Sequence, residues 1–286
     1  MKTELMQFPA FAAALTALGV RTRALQLAKC PPVQMVVRDI PALGRAAMIS
    51  RVTVPPADLR DAARASGIAA LVLNPAQPAG AACRDAGFFP LFTPAYRAIV
   101  PLHQDPEVQT GRQRQKWRNR LHHAQRSRLV ISRVAMPTRE AGWVFDANDA
   151  QARRKGYRPL PRCLIEAYAT QAPDDVCLFE ARLGGQPVAG MIFARHAQCA
   201  SYLIGHNTAE GRRRSAHNLL LWEAMRWLAC AGVEMLDLGM IDTVNAPGLA
   251  RFKLGSGAVA QSLGGTWLHA PGLNLIARAL PRALLV

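Results

Sequence analysis

The residues best suited to chemistry lie in two short segments of the sequence. The first is Asp237 to Asp242 (DLGMID), and the second is Gly248 to Gly255 (GLARFKLG). They predict a strand, a polar loop and a short basic helix. That order gathers carboxylates, a lysine and an aromatic ring at one end of a sheet, where α/β proteins tend to bind ligands. Phe252 could stack on a base, and the Lys253 ammonium could meet a phosphate or a developing oxyanion. The alternative is a core phenylalanine beside a solvated lysine.

A second candidate group stands at the start of the helix predicted over Ser215–Ala231. Three arginines precede this helix, and Ser215 is a suitable N-cap residue. Because helix N-termini and arginines both attract anions, we expect an anionic donor molecule to bind here. The residues expected to hold it are Arg212, Arg213, Arg214, Ser215, Ala216, His217 and Asn218. The alternative is a solvated basic loop before an ordinary helix.

The 286-residue chain carries a net charge of +16 and has a pI near 10.7. Such a charge indicates an anionic partner, whether nucleic acid, a phosphorylated ligand or an acidic membrane surface. A high arginine content inherited from the genome is the alternative explanation. The basic helix predicted over Arg112–Arg128, with Trp117 inside it, is the best candidate for nucleic-acid contact, unless it is only a solvated face. A helix predicted over Leu273–Leu285 would dock on the core or lie on an anionic membrane.

The cysteines and histidines predict neither a disulfide framework nor a metal site. Six cysteines are scattered without a C-x-x-C pair, and several lie in apolar runs, as buried free thiols do. No histidine stands at metal-ligand spacing from them. No apolar run approaches the roughly 20 residues needed to span a bilayer. We therefore expect no metal and a reduced, cytoplasmic setting.

Two α/β parts are predicted, at residues 1–105 and 106–286. The connection between them is marked by Pro101, Asp105, Pro106 and Gly111. The second part is predicted to run helix, strand, helices, three antiparallel strands, helix, strand, short helix and strand. Its clearest element is a hairpin of Val176–Arg182 and Pro187–Arg195 across Gly184-Gly185. The strand–helix–strand core of each part is of similar size, which is consistent with an ancient duplication.

The order of elements from Val176 to Leu238 resembles the core of the GNAT acyltransferase fold. In that fold the amides at the start of the central helix bind the phosphates of the donor. The usual pattern there is Arg/Gln-x-x-Gly-x-Gly/Ala. It cannot be laid over Gly211 to His217 without losing its central glycine. This departure points to one branch of the superfamily, the Fem-type (FemAB) peptidyltransferases.

Four segments carry the resemblance to the Fem-type proteins. Gly232–Ile241 (GVEMLDLGMI) is similar to the family's Gly-x-x-x-x-Asp-hydrophobic-Gly-Gly-Ile segment, with methionine for the second glycine. Gly248–Gly257 is similar to its Gly-Leu-x-x-Phe-Lys-x-x-Phe-Gly segment, with serine for the second phenylalanine. Asp85–Leu102 resembles the end of the family's first domain, with Pro101 in place of an acid. Lys116–Ala124 resembles the basic helix that opens the second domain.

The resemblance implies an α/β (α+β) fold of two tandem GNAT-like domains, each a mixed, mostly antiparallel sheet flanked by helices. It implies transfer of an acyl or aminoacyl group to an amine, which would belong to a small molecule or a cell-wall precursor. The donor substrate would be acyl-CoA or aminoacyl-tRNA, with no tightly bound cofactor. tRNA and a membrane surface are further candidate partners. Phe252 would contact the donor, and the candidate catalytic residues are Lys253, Asp242 and His206.

A non-catalytic nucleic-acid-binding protein on a degenerate GNAT scaffold is the alternative function. The missing glycine is consistent with it, whereas the retained Phe252-Lys253 pair favours the enzyme. Such a binder would associate strongly and salt-sensitively with nucleic acid and would show no donor preference.

Overall fold

The computed structural model describes residues 3–28, 30–41 and 44–273. The α-helices are α1 Pro9–Ala17, α2 Pro56–Ala65, α3 Gly80–Asp85, α4 Pro106–Gly111, α5 Gln115–Gln125, α6 Gly142–Lys155, α7 Arg162–Gln171, α8 Ala209–Arg213, α9 Ala216–Cys230 and α10 Pro247–Gly255. The strands are β1 Thr22–Leu27, β2 Cys30–Ile40, β3 Gly44–Val52, β4 Ala70–Pro75, β5 Phe89–Phe92, β6 Tyr96–Pro101, β7 Val130–Ala135, β8 Val176–Leu183, β9 Gln186–His196, β10 Cys199–Asn207, β11 Met235–Ile241, β12 Val259–Ser262 and β13 Thr266–His269. The predicted mixed α/β class, with two sheets flanked by helices, is confirmed.

The chain divides into two compact units, each built from two stretches of sequence. The larger unit comprises Met1–Leu5 and Arg97–Ala260, and the smaller unit comprises Met6–Tyr96 and Gln261–Val286. These units differ from the contiguous division expected at residue 105. One reason lies in the last strand predicted for the second part, which was expected over Ala258–Leu268. The structure has two strands there, separated by a break that includes Gly265, whose φ is +76°.

The smaller unit contains a six-stranded sheet in the order β1-β2-β3-β4-β13-β5. Strands β1, β2 and β3 are antiparallel, whereas β3 and β4 are parallel and are joined by α2. Helix α2 buries Leu59 and Ala63, which lie four residues apart and so share one face of the helix. Strand β13 lies between β4 and β5, which is why residues 261–273 belong with this unit.

The larger unit contains a seven-stranded sheet in the order β12-β6-β11-β10-β9-β8-β7. Strands β7 to β10 form an antiparallel meander, and β10 pairs with β11 in parallel. The predicted hairpin is present as β8 and β9. Its two-residue turn is Gly184-Gly185, with φ of +55° and +81°, as the favoured hairpin turns require. Helix α9, which joins β10 to β11, buries Leu220 and Leu228 in the main core cluster.

The basic helix expected over Arg112–Arg128 is α5, which is shorter and follows the separate helix α4. Helix α4 begins where the Asp105 side chain accepts a hydrogen bond from the amide of Glu107, 2.8 Å away. The helix expected over Leu273–Leu285 lies outside the described residues after its first position. Among the described residues, no helix has the length and apolarity to cross a bilayer.

Candidate functional site

The two parallel strands of the larger unit separate after a short paired stretch. Strands β10 and β11 pair at Cys199–Met235, Ala200–Leu236 and Ser201–Asp237, although β10 continues to Asn207 and β11 to Ile241. The register between β10 and β9 shifts between Tyr202 and Ile204, just after the last of these pairs. A bulge bends its strand and increases the local twist, and the pairing of β10 with β11 ends at this point. We call the space beyond Ser201 and Asp237 the β10–β11 gap.

The corresponding strands of the smaller unit do not separate. Strands β3 and β4 are also parallel and also joined by a helix. Their pairing runs from Ala46–Ala70 to Val52–Pro75, with six registered pairs. Where two strands stay paired, the backbone groups along their shared edge bond to each other and are not available to a ligand. The gap therefore distinguishes the larger unit, in which the two parallel strands stop pairing beyond Ser201 and Asp237.

Helix α10 places Lys253 at the β11 side of the gap. The side chain is buried, with 6% of its surface exposed, and its Nζ donates a hydrogen bond to the carbonyl oxygen of Met240, 2.8 Å away. Burial lowers the pKa of Lys253 to about 8, against the opposing attraction of the Asp237 carboxylate. Lys253 is therefore not a solvated lysine. It is a buried amine whose charge changes near pH 8.

Phe252 is half-buried and joins three helices. Its ring centroid lies 6.3 Å from that of Trp117 on α5 and 6.1 Å from that of His217 on α9. Trp117 in turn packs against Gly255, where an added Cβ would come within 2.9 Å of its ring. The Phe252 ring is thus part of the packing that fixes α10, and with it Lys253, to the start of α9.

Two histidines lie at the other side of the gap. His206, near the end of β10, is half-buried, and its Nδ1 is enclosed without a hydrogen-bond partner in the described part of the chain. Burial and the nearby charges of Arg212 and Arg154 lower the pKa of His206. The His217 Nε2 donates to the carbonyl of His206, 2.9 Å away, and burial lowers the pKa of His217 to about 4. Both rings are therefore neutral at pH 7, and the neutral imidazole of His206 can accept a proton.

Both carboxylate oxygens of Asp242 accept hydrogen bonds from residues of its own loop. It is exposed, and its Oδ1 accepts from the amides of Val244 and Asn245 at 2.9 and 2.7 Å. Its Oδ2 accepts from the Asn245 side chain at 2.9 Å. These hydrogen bonds, that from the Asn245 side chain foremost, lower the pKa of Asp242. A carboxylate held in this way is a weak base, so the geometry does not favour Asp242 as a proton acceptor.

The three predicted phosphate-binding arginines belong to a separate short helix, α8, and its end. Arg213 and Arg214 both pair with Glu210; the Arg214 Nε lies 2.9 Å from its carboxylate. Arg212 donates from Nη1 to the carbonyl of Asn207 at 2.6 Å. Two of the three positive charges are thus partly neutralised, and any donor phosphate would compete with Glu210 for them.

An open cavity of about 550 Å³ lies elsewhere in the larger unit, beside Pro101, Arg112, Arg114 and Val259. Arg112 donates from Nη1 to the carbonyl of Pro101, 2.9 Å away. No histidine, lysine or carboxylate lines this cavity. We therefore take the β10–β11 gap, with its buried lysine and neutral histidines, as the candidate site.

A family model described as an acetyltransferase (GNAT) domain matches residues 111–254, which is 144 of the 286 residues. The chain belongs to the GNAT acetyltransferase family. The matched residues lie within the larger unit and include β10, α9, β11 and most of α10, the elements that surround the gap. No curated protein matches the chain significantly.

Solved structures extend the likeness over both units, as a likeness of fold. The GNAT chain is similar to FemX, with a TM-score of 0.77 at 13% identity, over 95% of this chain and 93% of that one. It is also similar to L-PGS from Bacillus licheniformis, with a TM-score of 0.57 at 13% identity, over 96% and 98% of the two chains. A third similar structure is the C-terminal domain (DUF2156) of a protein named as a putative lysylphosphatidylglycerol synthetase from Agrobacterium fabrum. Its TM-score is 0.60 at 16% identity, with 95% and 92% covered.

Ser215 explains how this GNAT chain differs from the usual glycine pattern. With Arg212 at the first position of that pattern, Ser215 stands at the central glycine, and its φ is +55°, a left-handed conformation that favours glycine. Ser215 is the N-cap residue of α9, but its side chain makes no capping hydrogen bond. Ser215 therefore adopts a backbone conformation that favours glycine.

The first turn of α9 offers hydrogen-bond donors. The leading amides of a helix have no partner within it. Ala216 is fully buried, and Asn218 is 4% exposed with its Nδ2 lacking a hydrogen-bond partner in the described residues. An acceptor oxygen bound at this turn would satisfy these groups.

The structure therefore gathers part of the predicted set. Lys253, Phe252, His217 and His206 surround the gap, whereas Asp242 and the paired arginines do not converge on it. Sequence reasoning missed Glu4 and Arg97, whose guanidinium binds the Asp237 side chain at 2.9 Å. No local pattern marks this pair, because Glu4 and Arg97 are 93 residues apart.

Proposed function

We propose that this GNAT protein is an N-acyltransferase that moves an acyl or aminoacyl group from an activated donor to an amine. The observation that carries the proposal is the buried Lys253, whose Nζ lies on the Met240 carbonyl at the edge of the β10–β11 gap. A lysine this buried serves no solubility purpose, and its lowered pKa is typical of a functional site. Membership of the GNAT family and the fold likeness to FemX and L-PGS support the same class of reaction.

In the proposed reaction the amine nitrogen attacks the acyl carbon of the donor. A C–N bond forms, the bond from carbon to the donor's sulfur or oxygen breaks, the amine loses a proton and the leaving group gains one. Lys253 would donate a hydrogen bond to the oxyanion of the tetrahedral intermediate. With a pKa of about 8, Lys253 is mostly protonated at pH 7, as this role requires. Such a donor is most effective where water is excluded.

His206 is the better supported of the two candidate proton acceptors. It is neutral near pH 7, and its Nδ1 has no hydrogen-bond partner in the described residues. Asp242, by contrast, already accepts hydrogen bonds from its own loop. We therefore assign proton removal from the amine to His206 in the proposal.

The donor would lie with its phosphates at the first turn of α9. Acyl-CoA and aminoacyl-tRNA both carry phosphates, and the unsatisfied Asn218 Nδ2 suits either. The donor is a substrate in this proposal and not a resident cofactor. The acceptor class is an amine of a small molecule or of a cell-wall precursor, in the cytoplasm.

The test is a donor panel in which product is detected by mass. The purified chain is incubated with a mixture of amines and with acetyl-CoA, longer acyl-CoA or aminoacyl-tRNA. One donor class is expected to give an N-acyl product and to raise the melting temperature. Lys253→Met is expected to lower kcat about 100-fold with that donor, whereas Lys155→Met, at the exposed last position of α6, serves as the matched control. Unchanged turnover and donor affinity in Lys253→Met would remove the assigned role.

A nucleic-acid-binding protein without catalysis is the second candidate, favoured by one observation. Residues 108–139 contain no acidic residue and nine arginines or lysines. Helix α5 from this stretch also touches α8, where the His123 Nε2 lies 3.2 Å from the Arg213 carbonyl. A titration with RNA and DNA over a range of salt concentrations tests it, since binding should weaken steeply with salt. Absent or salt-insensitive binding would reject this candidate.

A further inference from the structure

Hydrogen bonds from the side chains of Arg97 and His196 hold Glu4 and Thr3 in the larger unit. The guanidinium of Arg97 binds Glu4 through both nitrogens, with Nη1–Oε2 and Nη2–Oε1 distances of 2.6 and 2.7 Å. The carbonyl of Thr3 accepts from Nδ1 of His196, 2.7 Å away. Arg97 and His196 are buried, with 4% and 2% of their surfaces exposed. Bidentate, charge-assisted contacts such as that between Arg97 and Glu4 are the strong class of hydrogen bond.

Arg97 and His196 also contact Asp237 and Ser201, the last residue pair before β10 and β11 separate. Arg97 also donates to Asp237, with an Nη1–Oδ2 distance of 2.9 Å. His196 meets the Ser201 hydroxyl through Nε2 at 2.9 Å. Because a carbonyl can only accept, Nδ1 of His196 carries the proton towards Thr3, and a neutral ring then accepts from Ser201 at Nε2. Ser201 and Asp237 are directly paired across the strands.

Asp237 connects Arg97 to the backbone segment that contacts Lys253. Its second oxygen, Oδ1, accepts from the amide of Gly239 at 2.6 Å, which fixes the bend where Gly239 has a φ of +78°. The next carbonyl, that of Met240, receives the Lys253 Nζ. The Asp237 carboxylate also attracts the Lys253 ammonium. Glu4 and Asp237 together balance the charges of Arg97 and Lys253, two against two.

We propose that Glu4 is a positioning residue: through Arg97, Asp237 and Gly239 it holds the end of β11 where the Met240 carbonyl receives Lys253. The proposal rests on the proposed function for its catalytic meaning. Its structural content, that a carboxylate near the start of the chain sets the environment of Lys253, does not depend on any donor. Removing the Glu4 charge would let Arg97 shift towards Asp237 and loosen the bend at Gly239.

The test uses the full chain with Glu4→Gln, which keeps the size of the side chain and removes its charge. Glu107→Gln, at an exposed glutamate of α4, is the matched control. Two readouts need no substrate: hydrogen exchange of the Gly239 and Met240 amides, and the rate of acetic anhydride labelling at Lys253, one of five lysines. In Glu4→Gln both rates are expected to rise about tenfold, as for loss of a hydrogen bond to a charged group. Exchange in α6 and α7 is expected not to change, and Glu4→Asp should recover part of the effect.

The outcomes separate this proposal from the proposed function. Exchange and labelling identical to the control would overturn the positioning role, as would a uniform rise in exchange across the larger unit, which indicates a purely structural contact. A local rise at Gly239 and Lys253 supports it even if no donor is ever turned over. Where transfer is measured, Glu4→Gln should lower kcat about tenfold while leaving the donor KM within about twofold.

Discussion

The Lys253 ammonium donates to the carbonyl oxygen of Met240 across 2.8 Å, which ties helix α10 to the end of strand β11. The last residue of β11 that pairs with β10 is Asp237, and Met240 lies beyond it. The contact between Lys253 and Met240 therefore lies beside the β10–β11 gap. In the smaller unit the equivalent parallel strands stay paired, and no gap opens. The proposed acyl transfer depends on this one buried lysine.

The buried lysine should make stability depend on pH. Its pKa is about 8 in the folded chain, against an ordinary value of 10.5. Between these values the unfolded chain binds more protons than the folded one, so Lys253 contributes more favourably as pH rises from 8 to 10.5. Urea denaturation of the native chain and Lys253→Met should show the native chain gaining stability relative to the variant across this window. An unchanged difference would contradict the burial of the charge.

A substitution at Gly239 should affect both stability and activity. Alanine at a φ of +78° costs about 1–2 kcal/mol, and the new Cβ would lie 3.7 Å from the Lys253 Nζ. Gly232→Ala is the matched control, because Gly232 has the same φ of +78° and nothing within 4 Å of an added Cβ. Both variants should lose similar free energy of unfolding, whereas only Gly239→Ala should lower transfer. Equal activity in the two would show that the bend at Gly239 has no role in the site.

Close packing at α8 predicts a large effect at Gly211. An added Cβ would lie 2.2 Å from Oδ1 of Asn207 and 2.4 Å from the carbonyl of Val188. Because the backbone must move, Gly211→Ala should cost about 1–3 kcal/mol. Gly142→Ala, at the open start of α6, should change stability by less than about 0.5 kcal/mol. Thermal denaturation of both variants measures this, and a neutral Gly211→Ala would mean that α8 is not packed as described.

Helix and strand periodicity predicts much of the fold, but not all of it. The central helix, predicted over Ser215–Ala231, is found at Ala216–Cys230, because its apolar face is broad and Gly232 ends it. Strand β1 was missed, since only Leu25 of its six residues is buried. An edge strand of this kind has no alternation to recognise.

The candidate site could be predicted only in part, for a physical reason. Residue type identified Lys253, but its burial depends on packing that one sequence does not display. Asp242 has a carboxylate and was therefore a candidate proton acceptor, yet amides of its own loop donate hydrogen bonds to that carboxylate. Glu4 and Arg97 meet through the fold alone, 93 residues apart.

The decrease of kcat/KM at acidic pH should follow the protonation of His206. Its pKa is lowered by burial and by Arg212 and Arg154, so it loses proton-accepting capacity only below 6.5. In the proposed reaction kcat/KM should therefore fall as pH decreases through a value below 6.5, and His206→Gln should remove this limb. Asp242→Asn should retain activity within about threefold, because an asparagine oxygen can still accept from the loop amides. A large loss in Asp242→Asn with the acid limb intact in His206→Gln would reverse the assignment.

The most direct test of the role of Lys253 is the rate of the chemical step as a function of pH in the native chain and in Lys253→Met. Single turnovers with the active donor, across the pH range on both sides of the lysine pKa, measure it. If the Lys253 ammonium stabilises the oxyanion, the native rate should decline as pH rises through about 8, and the variant should be slow and show no such decline. A native rate that is flat across this pKa, or a variant as fast as the native chain, would contradict the catalytic role of the buried lysine.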